Sequence, residues 1–152
     1  MTKKVYELAQ LNVGLTLAKS DDPSMAGFYD NLDKINALAE ASPGFVWRLQ
    51  SEGGNATDIN LFDNEMIIVN ASVWESKDAL FQFVYRSAHK EFVKQRKQWF
   101  AKWDGPFMVL WWVEKGVRPT PGECKERLDY LAKHGPTPHA FTFRSMFPAP
   151  EE

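Results

Sequence analysis

The chain has 152 residues, of which 18 are basic and 20 acidic, for a formal net charge of −2. So even a balance offers no field to draw nucleic acid or an acidic membrane surface, and neither is expected as a partner. Its one cysteine, Cys124, precludes an internal disulfide or a multi-cysteine metal site and reads as an inert thiol on a helix. Aromatic residues make up 14%, more than a small core needs, so some of them should line a pocket or an interface.

The amino terminus, with Lys3 and Lys4, has the charges of a leader but no apolar stretch behind them. The longest apolar run, 107–113, is too short to span a bilayer. A cytoplasmic protein without membrane contact is expected.

In chain order, residues 5–17 predict a strand with Ala9, Leu11 and Val13 on one face and Tyr6, Leu8, Gln10 and Asn12 on the other. Asp22 and Pro23 open a helix as cap and first residue. Phe28, Leu32, Ile35 and Ala39 follow at helical spacing, and Pro43-Gly44 ends the element. A strand over 45–50 leads into a polar loop over 51–64. Residues 66–74 predict a third strand, with Ile68, Asn70, Ser72 and Trp74 on one face and Ile67, Val69, Ala71 and Val73 on the other.

Ser76 caps a second helix from Lys77 to about Trp103, with a break near Ser87 and Ala88. A fourth strand spans 107–113. Thr120-Pro121-Gly122-Glu123 is a capping box for a further helix that stops at Gly135-Pro136, and alternating Phe141, Phe143, Ser145 and Phe147 predict a fifth strand over 140–147. The whole is β-α-β-β-α-β, a ferredoxin-like α+β plan. One domain over 1–152 is expected, with its core at 5–115 and an extension at 116–152.

The fourth strand is apolar on both faces, whereas helices of a two-layer domain cover only one. A second copy of the sheet is the simplest cover, which predicts a homodimer forming a dimeric α+β barrel.

Polar residues interrupt the strands where burial is expected. Asn12, Asn70 and Ser72 fall on facing positions of the first and third strands and either bond one another or orient a ligand. On the second helix His89 shares a face with Tyr85, four residues before it, and could serve as a base, a haem ligand or a partly buried histidine. Arg86, Lys90, Lys94, Arg96, Lys97 and Lys102 read as a solvated helix face or, led by Arg86, as an anion patch. His134 and His139 flank a Gly-Pro turn without a third metal ligand nearby. Phosphate loops, nucleophile elbows and zinc-protease motifs are absent from the sequence.

Leu8-Ala9-Gln10-Leu11-Asn12-Val13, the run from Tyr85 to Phe92 with Arg96, Trp99 and Phe100, and Pro119-Thr120-Pro121 with Ala140-Phe141-Thr142-Phe143 resemble an uncharacterised bacterial domain family. That family is related to the antibiotic-biosynthesis monooxygenases of the dimeric α+β barrel superfamily. The resemblance implies a site built on Asn12, Trp74 and His89, and from their placement Asn70, Ser72, Tyr85 and Arg86 are expected to contact a small apolar or aromatic ligand. It implies no cofactor if the chemistry is oxygenation of a polycyclic substrate. Haem held by His89 and simple ligand carriage are the alternatives.

Overall fold

The computed structural model describes residues 5–19, 22–49, 66–86, 98–103 and 105–150. The loop expected at 51–64 and the helix break expected near Ser87 lie outside the described residues.

The sheet is organised around β1 (Tyr6–Thr16), which pairs along most of its length with β3 (Ile67–Trp74). β2 (Phe45–Arg48) extends the sheet beyond β3, and β5 (Met108–Glu114) pairs with the other edge of β1. All pairings are antiparallel, in the order β2-β3-β1-β5 that the ferredoxin-like plan requires. β1 and β3 are central because both carry apolar residues on both faces, as strands covered on both sides do.

α1 (Ala26–Glu40) and α2 (Lys77–Arg86) pack on the face that carries Leu8, Trp74 and Leu110. Their starts follow the predicted caps. The Asp22 carboxylate accepts the Ser24 N–H at 2.9 Å and sets a 3-10 turn, Pro23–Met25, ahead of α1. The Ser76 hydroxyl accepts the Ala79 N–H at 3.1 Å.

The opposite face, with Ala9, Leu11, Val13, Val69, Ala71, Val73, Val109 and Trp111, belongs to one core cluster with Cys124, Leu128 and Leu131 of α3 (Pro121–His134). α3 begins with Thr120 accepting the Glu123 N–H at 3.1 Å and Pro121 in its first turn, as predicted. This corrects the premise of the sheet-on-sheet homodimer. On the second face of the sheet β5 is packed by a helix of the same chain, so the doubly apolar β5 needs no second copy.

Two other expectations change. The second helix does not run to Trp103, because Phe100–Ala101 form a short strand, β4, paired with Leu15 and Thr16 of β1. Trp99 buries beside Met25 and Phe28, and the Phe100 ring lies so close to Gly14 that a Cβ there would stand 2.6 Å from it. These tertiary contacts outweigh the helical spacing. The fifth strand reduces to one bridge with the sheet, in which Leu110 and Phe141 exchange backbone hydrogen bonds of 2.8 and 2.9 Å. A turn follows, closed by Ser145 N–H on the Thr142 carbonyl. Burying one Phe ring contributes about 1.5–3 kcal/mol, against about 1 kcal/mol for a ladder bond. Phe141, Phe143 and Phe147 therefore act as anchors against the Leu110 face, and the chain path follows the rings.

Candidate functional site

Strand register aligns three rows of side chains beneath α1 and α2. They are Trp112–Leu8–Trp74–Phe45, Leu110–Gln10–Ser72–Arg48 and Met108–Asn12–Asn70. A cavity of about 250 Å³ lies between this face and the helices. Phe28, Leu32, Ile35 and Ala39 of α1 and Leu80, Phe83 and Val84 of α2 supply an apolar wall, and the polar middle of the sheet supplies the floor.

The floor is a connected hydrogen-bond network. The Trp74 indole donates to Ser72 Oγ at 2.8 Å, and Gln10 Nε2 donates to the same oxygen at 2.8 Å and to Asn70 Oδ1 at 2.9 Å. Asn12 Nδ2 donates to Gln10 Oε1 at 3.0 Å and, at a longer 3.4 Å, to Asn70 Oδ1. An indole nitrogen can only donate, so Ser72 Oγ is an acceptor here and, having received two N–H groups, has its own O–H to give. Asn12 Oδ1 and Asn70 Nδ2 have no partner among the described residues. The floor therefore offers an occupant two donors, Asn70 Nδ2 and the Ser72 hydroxyl, and one acceptor, Asn12 Oδ1.

Asn12, Asn70 and Ser72 are thus brought together, and they bond one another through Gln10. Gln10 is 3% exposed and joins all three, and its place on the Asn12 face was the signal for including it. Trp74 is fully buried, stacked on Phe83 with centroids 5.1 Å apart and meeting the edge of Phe45 at 5.4 Å. Tyr85 sits at the rim, 44% exposed, with its ring against Phe81 and Phe143. Arg86 ends α2, but its side chain is outside the described residues, as is the whole of His89. Of the basic face, Arg86 and Lys102 alone fall on described backbone, and Lys102 is exposed.

Two more lining residues escaped the sequence. Arg48 reaches the cavity because of a bulge in β2. The register shift between Phe45 and Trp47 sets Phe45 opposite Trp74 and Arg48 opposite Ser72, on one face, where plain alternation would have separated them. Its Nε donates to Glu40 at 3.2 Å. Asn36 of α1 is 7% exposed and lines the same cavity. Neither residue belongs to a motif, so only the fold reveals them.

The other two histidines stand apart from this cavity. His139 Nδ1 receives Arg127 at 3.0 Å, which leaves Nε2–H to donate to Glu126 at 2.8 Å, and the Tyr130 ring lies 4.3 Å from His134 and 4.5 Å from His139. Among the described residues no group of three His, Cys, Asp or Glu side chains could hold a metal ion. No described helix is long and apolar enough to cross a membrane.

Sheet order, helix placement and cavity together define a ferredoxin-like α+β protein with a ligand-sized pocket between its sheet and its first two helices. Residues 7–152 match the family described as a domain of unknown function, DUF3291, and the chain belongs to it. No curated protein matches the chain. Among solved structures it is similar to SnoaB, a cofactor-independent oxygenase from Streptomyces nogalater, at 16% identity and a TM-score of 0.44, over 75% of this chain and 95% of that one. It is also similar to NE2512, a protein of unknown function from Nitrosomonas europaea, at 12% identity and a TM-score of 0.48, over 78% and 97% of the two chains. At these scores the likeness carries nothing about chemistry.

Proposed function

We propose that the protein binds a small, largely apolar aromatic molecule in the cavity beneath α1 and α2. One observation supports this reading: an apolar wall faces a hydrogen-bonding floor across a single cavity of about 250 Å³. That combination is how small-molecule sites fix orientation while taking most of their affinity from apolar contact, and the volume suits a compact ring system. The test is tryptophan quenching by a neutral aromatic probe, 2-naphthamide, since Trp74 lines the cavity. Saturable quenching is expected, and it should vanish in Ala39→Trp, which fills the wall, while the circular dichroism stays native. Absence of saturable quenching in the parent protein overturns the proposal.

A chemical role is the second reading, favoured by the two donors of the floor. Asn70 Nδ2 and the Ser72 hydroxyl would stabilise the oxyanion of an ionised, electron-rich polycyclic substrate while it hands electrons to dioxygen without a cofactor. Asn12 would accept a hydrogen bond from the substrate. Trp74 would act through its ring, its N–H being given to Ser72. The described wall carries no histidine or carboxylate, so proton removal in this scheme is assigned to His89. Oxygen uptake with a polycyclic phenol, slowed in both Asn70→Ala and His89→Ala, is the expected result, and no uptake removes this reading. Haem is not carried forward, because a porphyrin is far larger than this cavity. Homodimerisation stays in the proposal, and a one-chain mass by light scattering removes it.

A further inference from the structure

We propose that the occupant of this cavity is an aromatic or polycyclic acid whose carboxylate is held by Arg48 and Asn36. The inference rests on the pocket reading above and names its ligand class.

Arg48 is the one charged side chain among the described residues of the cavity wall, and its side chain is 13% exposed. Its Nε is committed to Glu40 at 3.2 Å, while its two terminal nitrogens, with four N–H groups, have no partner among the described residues. Glu40 is half exposed and lies at the back of the guanidinium, so it orients the fork without covering it. Asn36 precedes Glu40 by one helical turn and shares its stripe, which brings the Asn36 amide to the same end of the cavity. Asn36 is 7% exposed as a residue, and its amide makes no hydrogen bond among the described residues, which leaves it open to the cavity. Across the sheet, Ser72 stands directly opposite Arg48, so their side chains are cross-strand neighbours on the cavity face, and Ser72 has its hydroxyl proton to give.

Three sets of unused donors thus face one otherwise apolar cavity, and an occupant that seals them from water has to supply acceptors. The acceptor that fits is planar, singly charged and two-oxygened. A carboxylate meets the parallel N–H groups of an arginine fork in pairs. A phosphate dianion would need more positive charge than one arginine already shared with a glutamate. A neutral carbonyl would leave the guanidinium charge facing the apolar wall. The aromatic body of the acid then lies along Trp74 and Phe83, with Phe28 and Leu32 opposite on α1.

The experiment compares 2-naphthoate with 2-naphthamide, which have one ring system and differ in charge, by tryptophan quenching at neutral pH. The acid is expected to bind the parent protein about 10- to 100-fold more tightly than the amide. In Arg48→Gln the acid should fall to the level of the amide, with the amide's own affinity almost unchanged, and Arg48→Lys should keep part of the preference. Asn36→Leu should weaken the acid several-fold more than the amide, which provides a test through a second residue if Arg48→Gln does not fold. Equal binding of acid and amide by the parent protein overturns the inference and leaves the pocket reading standing. An equal loss of both ligands in Arg48→Gln also overturns it, by marking Arg48 as wall support. Binding of neither ligand takes down the pocket reading and this inference with it.

Discussion

At the scale of the residue, Gln10 is the group on which the site floor turns. Its amide gives both N–H groups to Asn70 and Ser72 and takes the Asn12 amide on its oxygen, all while 3% exposed. Replacing it with leucine keeps the bulk but leaves Asn12 Nδ2 and Asn70 Oδ1 short of partners. Because Asn70 is exposed and Asn12 only half-buried, a loss of about 0.5–1.5 kcal/mol in stability is expected, the net worth of an ordinary hydrogen bond. Urea unfolding measures it, and an unchanged midpoint would show that the network contributes no stability. Asn12, Asn70 and Ser72 were legible in the sequence because strand alternation alone puts them on one face. Gln10 shares that alternation, but its role as the joint depends on the register that sets it opposite Ser72. Arg48 and Asn36 were not legible at all, since an arginine in a strand and an asparagine in a helix are ordinary until a bulge and a cavity give them a direction.

At the scale of the element, local chemistry settled the boundaries well where caps and turns were present. Asp22, Ser76 and Thr120 each cap the element that follows them. Gly44, with φ of +83°, makes the turn from α1 into β2, and its carbonyl receives the Glu75 N–H at 2.7 Å. A Cβ at this position would overlap that of Ala79. Gly105 has a similar φ of +89° but open space around it. Gly105→Ala is therefore expected to cost the backbone strain alone, about 1–3 kcal/mol, and Gly44→Ala clearly more, because α2 must also shift. Thermal unfolding of the two variants side by side checks this, and equal losses would mean that the Ala79 contact yields freely. Elements without such local signals differ from what the sequence predicts. The strand at Phe100–Ala101 and the bridge at Phe141 depend on Gly14, Met25, Phe28 and Leu110, which are distant in sequence.

At the scale of the whole molecule, α3 packs on β5 at the second face of the sheet, and Cys124 reports on it. The thiol is fully buried, and burial, with the Glu123 carboxylate beside it, pushes its pKa from the ordinary 9.0 up to about 12. The folded protein therefore keeps the proton that the unfolded chain releases near 9. The thiol contributes nothing to pH dependence below that point, and stability falls as pH rises between about 9 and 12. Thiol labelling at pH 8 should be negligible in the native protein and complete on unfolding, whereas prompt native labelling would mean that α3 undocks readily.

Sequence alone determined the order and facing of the main strands, the helix caps, the amphipathic stripe of α1 and the polar group formed by Asn12, Asn70 and Ser72. All of these follow from periods of 2 and 3.6 residues and from local hydrogen bonding. Tertiary structure decided what covers the second face, on which side of the sheet the cavity lies, and that Gln10, Asn36 and Arg48 belong to it. Those outcomes depend on the docking of α3, the register between strands and a single bulge in β2, and contacts between residues remote in the chain leave no periodic trace.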